Sequence, residues 1–333
     1  MSDLPAVDVA TTRPAVLDIV VLAGGISHER DISLRSGRRV ADGLISQGHR
    51  VTVREPDATL LGALTESAPD VVWPALHGAS GEDGALRALL SSAGVPYVGA
   101  RSDAARMTWS KPTAKTIIAR AGIATPESVT LPTETFRELG ATSVLDILRA
   151  HLGVPLVVKP AQGGSAQGVT IVDDPDDLPR AMVDAYTYSD VALIERKVVG
   201  TEVAVTVLDR GHGALALPAV EIVPVGGVYS FEARYNAGET EFYAPARLTD
   251  ALAAAVADVA VAAHIALGLR HLSRVDLIID ADGTPWFLEA NVLPGLTETS
   301  LVPLAIEAAG LEQGSVYAQL AVLAIHDDVD FGR

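Results

Sequence analysis

The chain of 333 residues contains no cysteine. This absence excludes disulfide bonds, a thiol nucleophile and thiolate metal sites, and it fits a reducing compartment. Basic residues are also scarce, because 25 lysines and arginines stand against 42 aspartates and glutamates and leave a net charge of −17. Nucleic acids and anionic membranes bind basic surfaces, so we expect neither as a partner.

Targeting and membrane-spanning segments are missing too. Residues 1–15 combine acidic residues with prolines instead of a basic stretch followed by an apolar one, which predicts a disordered tail and no signal peptide. The alanine-rich helix predicted over 251–267 is interrupted by Asp258 and His264, so we interpret it as amphipathic and buried. We therefore expect a cytoplasmic protein.

The length and the 49% hydrophobic content predict a well-packed protein of two or three domains. The pattern from Leu17 to Arg54 is strand, helix, strand, which is typical of a βαβ unit in an open parallel sheet. Gly24-Gly25 at the end of the first strand lacks the spacing of a dinucleotide fingerprint. The chain therefore begins with an α/β domain whose ligand-binding edge is not that of a dinucleotide-binding fold.

Two polar residues follow strands of this opening. Glu29 lies in the first turn of the predicted helix, where it either complements the helix dipole or binds the ammonium group of a ligand. His77 ends the predicted strand Val71–Leu76, where it either caps the loop or contacts substrate. Neither residue decides between these alternatives by itself.

The stretch 274–301 has the pattern of a β-hairpin. Two β-rich runs flank Asp282-Gly283, a dipeptide suited to the two-residue type I′ turn. Pairing Ala281 with Thr284 sets the register of the remaining residues. The predicted cross-strand pairs are Ile279 with Trp286, Leu277 with Leu288, Asp276 with Glu289, and Arg274 with Asn291.

Because side chains alternate along a strand, this register predicts two different faces. The apolar face carries Val275, Leu277, Ile279, Trp286, Leu288 and Ala290, and the mixed face carries Arg274, Asp276, Ile278, Phe287, Glu289 and Asn291. Opposed carboxylates on the mixed face require a positive group between them. Their oxygens and that of Asn291 suit Mg²⁺, which usually brings phosphates. The alternative is a pair of solvated carboxylates, which the apolar Ile278 and Phe287 disfavour.

A glycine-rich loop is predicted between strands Val154–Lys159 and Val169–Val172. Its sequence K-P-A-Q-G-G-S-A-Q-G offers backbone N–H groups to a polyphosphate, although it lacks the spacing of a P-loop. Lys159 ends an apolar strand and needs an anionic partner there. Further along, the irregular segment from Pro224 to Pro245 is long enough to be an active-site lid.

Seven segments of the chain, which include the features above, occur in an order that is found in a known protein family. The segments are G-G-I-S-H-E-R-D-I-S-L-R-S-G at 24–37, H-G-A-S-G-E-D-G at 77–84, the loop at 159–168, E-R-K-V-V-G-T-E at 195–202, R-Y at 234–235, R-V-D at 274–276 and E-A-N-V-L-P-G-L-T-E-T-S-L at 289–301. Across residues 16–315 the chain resembles the ATP-grasp ligases, and specifically the D-alanine–D-alanine ligase family.

The resemblance implies a three-domain ATP-grasp fold of the α/β (α+β) class with an N-terminal open parallel α/β domain. The expected divisions are 16–102 for the substrate domain, 103–194 for the central subdomain with the phosphate loop, and 195–333 for the C-terminal subdomain with the lid and metal site. It also implies a homodimer.

For ATP, the resemblance implies that Lys111, Lys159, Gly164 and Ser165 contact phosphates, that Glu195, Arg196 and Val198 surround adenine, and that Glu202 binds ribose. Asp276, Glu289 and Asn291 resemble the ligands of two Mg²⁺ ions, for which Mn²⁺ is an alternative.

For the amino acids, the resemblance implies that Glu29 binds the ammonium group of the first D-amino acid beside His77. Arg274 and the Gly295 amide would hold its carboxylate, and Arg234, Ser300 and Leu301 would hold the second substrate. Glu29, Ser165 and Tyr235 resemble the trio that closes the lid. The implied function is ATP-dependent synthesis of the D-alanyl dipeptide for peptidoglycan precursors.

Two departures concern the site directly. Ala166 stands where the family usually has serine, and Arg234 replaces a usual lysine, which changes a flexible ammonium into a planar fork. Alternatives are a ligase that takes another D-amino acid or a hydroxy acid, or a silent nucleotide-binding regulator. Tyr235 favours an amine over D-lactate, and the retained Lys159, Arg274 and Asp276 argue against the regulator.

Overall fold

The computed structural model describes residues 16–230, 233–234, 236 and 238–329, the side chains as far as residue 327. The tail predicted at 1–15 lies outside these residues. Three β-sheets with helices packed against them account for most of the described chain. This arrangement confirms the mixed α/β class predicted from the sequence.

The first sheet is parallel, with strand order β2-β1-β3. Its elements are β1 Asp18–Leu22, α1 Arg30–Ser46, β2 Arg50–Arg54, α2 Leu60–Glu66, β3 Val71–Pro74, α3 Ala79–Glu82 and α4 Ala85–Ser92. β1 consists mainly of β-branched residues between Asp18 and Leu22, which suits a buried central strand. The loops after β1 and β3 leave the same edge of the sheet, so they bring Glu29 and His77 together.

The second sheet is antiparallel, with strand order β4-β7-β5-β6. It is preceded by α5 Ser102–Trp109 and α6 Lys111–Arg120, and its own elements are β4 Ser128–Pro132, α7 Thr133–Leu139, α8 Ala141–Leu152, β5 Leu156–Pro160, β6 Thr170–Val172, α9 Leu178–Tyr186 and β7 Val191–Arg196, with a short 3₁₀ turn at Pro175–Asp177. The loop between β5 and β6 is the predicted glycine-rich loop.

The third sheet has six strands in the order β11-β10-β8-β12-β13, with β9 also paired to β8. The elements are β8 Thr201–Asp209, β9 Ala214–Ala216, β10 Val220–Pro224, β11 Thr240–Tyr243, α10 Asp250–Ala266, β12 Leu272–Ile279, β13 Pro285–Asn291, α11 Leu301–Ala308 and α12 Gln313–Val329. None of the helices in the described ranges is sufficiently long and apolar to cross a membrane.

The hairpin β12–β13 confirms the predicted register only at the end distant from the turn. Arg274 pairs with Asn291 and Asp276 with Glu289, as predicted. Nearer the turn the register differs by one residue, because Ile279 pairs with Pro285 instead of Trp286. A bulge next to the Asp276–Glu289 pair absorbs the difference.

The turn explains the shift, and the type I′ prediction was wrong. Of the described turn residues 280–284, Gly283 alone has a positive φ, whereas type I′ needs two. The Asp280 N–H donates to the Thr284 carbonyl, so three residues rather than two form the loop. The Asp280 carboxylate accepts from the N–H groups of Asp282 and Thr284 and so favours this wider loop.

The register shift also changes the faces of three side chains. Trp286, predicted on the core face, pairs instead with Ile278, which lines a cavity. Phe287, predicted on the mixed face, is fully buried in the core of the third sheet with Leu277 and Ile279. Leu288, predicted on the core face, instead lines a cavity beside Ile278 and Glu289. The faces of these three residues were therefore predicted wrongly, whereas the carboxylates are paired as expected.

Each of two hydrophobic clusters combines a sheet with helices from another part of the chain. Helices α5 and α6 contribute Ala105 and Ile118 to the core of the third sheet. Helices α11 and α12 return to the first sheet, where Tyr317 packs its ring 5.3 Å from that of Trp73. The division at 102/103 and 194/195 remains a proposal.

Candidate functional site

One cavity lies between the second and third sheets, on the side of the glycine-rich loop. Its walls combine apolar strand residues with buried charges. Predicted ATP-binding residues among the lining are Lys111, Lys159, Gly164, Glu195, Arg196, Val198 and Glu202, and others are Val157, Ile171, Ile278 and Leu288. A cleft lined by apolar residues together with a few charged groups is typical of a ligand-binding site.

Glu195 and two lysines form a buried ion cluster at this cavity. The Glu195 carboxylate contacts the ammonium groups of Lys159 and Lys115, the latter at 2.8 Å, and only 2% of Glu195 is exposed. Burial alone would raise the pKa of Glu195, but the two lysines lower it. The same carboxylate raises the pKa of Lys159 against the effect of burial. Lys159 therefore keeps its charge inside the protein.

The glycine-rich loop is held over the cavity by Lys111. The Lys111 Nζ donates to the Gly163 carbonyl at 2.6 Å and lies 3.4 Å from Glu289. Ser165 and Ala166 in the loop both have left-handed backbone conformations, with φ of 53° and 56°. Consecutive N–H groups in such a turn form a concave surface that suits anions.

The hairpin supplies the carboxylates at the end of the cavity. Arg274 binds Asp276 through two hydrogen bonds of 2.7 and 2.8 Å, and the Asn291 amide donates to the same carboxylate at 3.2 Å. Burial would raise the pKa of Glu289, but Lys111 and Lys159, with further arginines, lower it to about 2. Glu289 is therefore ionised, and the protein's own cations lie next to both carboxylates.

The donor set fits magnesium in part. Carboxylate and amide oxygens are the ligands that Mg²⁺ prefers, and few protein ligands suffice when phosphates complete its coordination. Within the described residues, no three histidine, cysteine, aspartate or glutamate side chains are grouped so that they could hold a metal. The residues Asp276, Glu289 and Asn291 therefore fit an ion that arrives together with a polyphosphate.

A second, more polar cavity adjoins the first. Its lining includes all the described residues predicted to bind the amino acids, which are Glu29, His77, Arg234, Arg274, Gly295, Ser300 and Leu301. It also includes Ser165, which was predicted to contact the ATP phosphates and to close the lid and does not line the first cavity. Gly164, Arg234 and Glu289 line both cavities. Side chains from the first sheet, the glycine-rich loop and the hairpin thus converge on one place.

The hydroxyl of Ser165 donates a hydrogen bond to the Glu29 carboxylate. This contact ties the start of α1 to the glycine-rich loop, across 136 positions of sequence. It brings together two members of the predicted closing trio. The third, Tyr235, lies outside the residues that the structure describes.

The loop 294–300 forms the far wall of the second cavity. The Thr297 N–H donates to the Ser300 hydroxyl at 3.0 Å, and a Cβ added at Gly295 would lie 2.8 Å from that hydroxyl. Gly295 thus leaves room for the Ser300 hydroxyl in this position. Leu301 is buried at the start of α11 and closes the wall with an apolar side chain.

His77 and Glu82 are buried beside Glu29. Burial lowers the pKa of His77, whose Nε2 lies 3.4 Å from the Ser36 hydroxyl. Burial, followed by the charge of Glu29, raises the pKa of Glu82 to about 8. The Gly78 N–H donates to the Glu82 carboxyl at 2.8 Å. A protonated carboxyl group therefore faces the polar cavity near neutral pH.

Several cavity residues were not singled out from the sequence. Glu82, Tyr229 and Leu288 line a cavity, and Lys115 contacts the lining residue Glu195 without lining the cavity itself. Glu82 lies inside the family-like segment 77–84, and Tyr229 lies inside the predicted lid. Their positions in the sequence therefore indicated that both could be near the site. No sequence pattern indicated a role for Lys115, because only the fold places its ammonium group 2.8 Å from the Glu195 carboxylate.

Two family models match the chain. The model described as "D-ala D-ala ligase N-terminus" matches residues 55–100, and "D-ala D-ala ligase C-terminus" matches residues 117–321. The second match alone covers more than half of the chain and contains the glycine-rich loop and the hairpin.

Individual proteins agree with these matches. A D-alanine–D-alanine ligase of Bordetella petrii is 39% identical over 323 residues, which are 96% of this chain and 95% of that protein. One from Anaeromyxobacter sp. is 43% identical over 88% of this chain and 92% of its own length. The crystal structure of the Bacillus anthracis D-alanine–D-alanine ligase complexed with ATP superimposes with a TM-score of 0.78 at 26% identity, covering 96% of this chain and all of that one.

Proposed function

The chain belongs to the D-alanine–D-alanine ligase family, and from this membership we propose that it joins two D-alanine molecules with cleavage of ATP to ADP. The product would serve peptidoglycan precursor synthesis. The observation that carries the proposal is that the two cavities share Glu289, Arg234 and Gly164. A phosphate from one cavity and a carboxylate from the other can meet at this shared wall.

ATP would occupy the cavity between the second and third sheets. Its phosphates would lie under the glycine-rich loop next to Lys111 and Lys159, and Glu202 would face the ribose. Burial raises the pKa of Glu202 to about 7, so this carboxyl group is able to accept or donate a hydrogen bond near neutral pH. Glu195 is already bound to two lysines, so its predicted contact with adenine would add to that cluster.

The first D-alanine would occupy the polar cavity, with its ammonium group at Glu29. A carboxylate is a poor electrophile, and transfer of the terminal phosphoryl group of ATP converts it into a reactive acyl phosphate. Lys111 and Lys159 would compensate the charge that develops during this transfer. Two Mg²⁺ ions, or Mn²⁺, held by Asp276, Glu289 and Asn291 would supply further charge neutralisation when bound with ATP.

The second D-alanine would then attack the acyl phosphate with its amine. Its carboxylate would lie near Arg234, Ser300 and Leu301. Arg274 and the Gly295 N–H face the same cavity and would stabilise the oxyanion, a contribution of about 3–4 kcal/mol per donor in comparable sites. Phosphate leaves when the peptide bond forms.

Other parts of the prediction stay proposals. Tyr235 would complete the trio that keeps water from the acyl phosphate, and exclusion of water protects such intermediates. We also propose a homodimer on the family resemblance. A silent regulator is disfavoured, because Lys159, Arg274 and Asp276 are buried together in charged, hydrogen-bonded arrangements at the cavity.

The test is phosphate release from ATP with Mg²⁺ and D-alanine, with D-serine and D-lactate compared as second substrates. We expect turnover and dipeptide formation with D-alanine. Glu289→Gln should abolish it, whereas Glu66→Gln on the exposed face of α2 should not. Tight ATP binding without turnover of any D-amino acid would overturn the proposal.

A further inference from the structure

Tyr229 and Arg234 together form a partition between the two cavities. Both residues line the cavity between the second and third sheets, which we call the nucleotide cavity, and the second cavity, which we call the polar cavity. Arg234 has a predicted role at the second substrate, whereas Tyr229 has none. The position of Tyr229 at the partition therefore calls for a physical explanation.

The two side chains are stacked. The Arg234 Cζ atom lies 4.1 Å from the centre of the Tyr229 ring, and the Arg234 Nε donates to the Tyr229 carbonyl at 3.4 Å. A guanidinium group over an aromatic face is attracted by the ring quadrupole. Stacking on the ring and a hydrogen bond to the backbone of the same residue restrict the plane of the guanidinium group.

The ring of Tyr229 is itself held in place. It packs edge-on against Phe242 of β11, with the ring centres 6.1 Å apart and an interplanar angle of 80°. Between Tyr229 and β11, the Ala233 N–H donates to the Ser230 hydroxyl at 3.2 Å, and the Ala233 carbonyl accepts from Thr240 at 2.6 Å. The third sheet thus supports the ring that supports Arg234.

The charge of Arg234 acts on both cavities. It lowers the pKa of Glu202 in opposition to burial, and it adds to the lysines that lower the pKa of Glu289. Tyr229 is an uncharged partner at neutral pH, because burial raises the pKa of its phenol. The ring therefore orients the arginine without neutralising it.

We propose that Tyr229 is a positioning residue, which holds the guanidinium plane of Arg234 so that its N–H fork faces an anionic group at the partition. A planar fork stacks and binds a carboxylate or phosphate through two parallel hydrogen bonds, which the ammonium of a lysine cannot do. The arginine at 234 thus needs the aromatic residue at 229. The anionic group, on the basis of the proposed function, is the carboxylate of the second D-alanine or the terminal phosphate of ATP.

A double-mutant cycle tests the proposal, with Tyr229→Leu and Tyr229→Phe each made in the wild-type and in the Arg234→Lys background. We expect Tyr229→Phe to keep kcat/KM within about threefold, because the stacking face remains. Tyr229→Leu should lower it about tenfold or more in the wild type, but less than about threefold when lysine is at 234.

Separate KM values for ATP and for the second D-alanine show which anion the fork binds, since the larger increase identifies the affected substrate. Equal losses for Tyr229→Leu in both backgrounds would overturn the proposal, because Tyr229 would then support the fold and not Arg234. A loss in Tyr229→Phe as large as in Tyr229→Leu would overturn it too.

Tyr229→Met replaces Tyr229→Leu in the cycle if the leucine variant does not fold, as judged by its thermal unfolding midpoint. The same cycle is also measured through ATP dissociation constants. Wild-type enzyme that binds ATP but turns over no D-amino acid contradicts the proposed function, whereas absence of coupling in an active enzyme contradicts only the role of Tyr229.

Discussion

Burial and neighbouring charges shift the pKa values of several carboxyl groups of the site away from their ordinary values. Burial raises the pKa of Glu82 to about 8 and of Glu202 to about 7, whereas lysines lower that of Glu289 to about 2. Divergent pKa values among neighbouring carboxyl groups are typical of catalytic sites. At the residue scale, the site therefore holds carboxyl groups of both kinds: charged acceptors and neutral hydrogen-bond donors.

Replacement of Glu82 by glutamine should change how stability depends on pH. The unfolded chain releases this proton near the ordinary value of 4.5 and the folded chain near 8, so the folded state binds more protons between these values. Wild-type stability should consequently fall as pH rises through this interval, with Glu82 contributing up to about 1.4 kcal/mol per pH unit. Glu82→Gln should remove that contribution in urea unfolding at pH 5.5, 6.5 and 7.5.

The matched control is Glu66→Gln, since Glu66 is exposed on α2. Its pH dependence should follow that of the wild type. If Glu82→Gln also followed the wild type, burial would not hold the proton on Glu82.

At the scale of elements, the hairpin β12–β13 shows how a local irregularity preserves the pairing of Asp276 with Glu289. The wider turn shifts the register by one residue, and the bulge restores it before Asp276 and Glu289. Bulges often redirect side chains next to active sites. Here the bulge directs Leu288 to the cavity between the second and third sheets and Phe287 to the core.

Two alanine variants distinguish this arrangement from a regular hairpin. Phe287→Ala should lower the free energy of unfolding by about 3–5 kcal/mol, because it removes a fully buried ring. Leu288→Ala should cost about 1–2 kcal/mol and raise the KM for ATP, because it removes an apolar contact of the cavity. Urea unfolding and ATP titration measure both. A larger loss of stability in Leu288→Ala than in Phe287→Ala, with a raised KM for ATP in Phe287→Ala, would indicate a regular hairpin register without the bulge.

At the scale of the whole molecule, the site exists only where three sheets meet. The Ser165–Glu29 hydrogen bond joins the glycine-rich loop to α1, and Arg35 and Arg39 of α1 contact Glu298 in the loop before α11 at 3.1 and 3.4 Å. The exposed ion pairs contribute little stability. The partly buried Ser165–Glu29 contact is therefore the one that we expect to control closure.

Ser165→Ala should uncouple ATP cleavage from dipeptide synthesis. Without the hydroxyl, the loop and α1 lose a direct connection, and water gains access to the acyl phosphate. We expect phosphate release per dipeptide formed to rise severalfold, measured by phosphate and dipeptide assays on the same samples. Ser92→Ala, at an exposed position of α4, is the control and should leave the ratio unchanged. An unchanged ratio in Ser165→Ala would contradict a role in closure.

The sequence by itself determined the class of fold and predicted most of the residues that line the candidate site. Periodicity located β1, α1 and the carboxylate pair Asp276–Glu289, because strand and helix patterns depend on neighbouring residues. The ordered motifs indicated the family, and the family models and relatives bear this out. Such features are local or depend on motif order, so they can be read without coordinates.

Only the tertiary structure decided which distant residues share a cavity. Lys115 meets Glu195 across 80 positions, and Glu29 meets Ser165 across 136, and no local pattern records such contacts. The face of Leu288 also depended on the turn, where the Asp280 carboxylate favoured a three-residue loop over the predicted two-residue one. Long-range packing and side-chain-to-backbone hydrogen bonds therefore set the final geometry of the site, because their energies arise only in the folded chain.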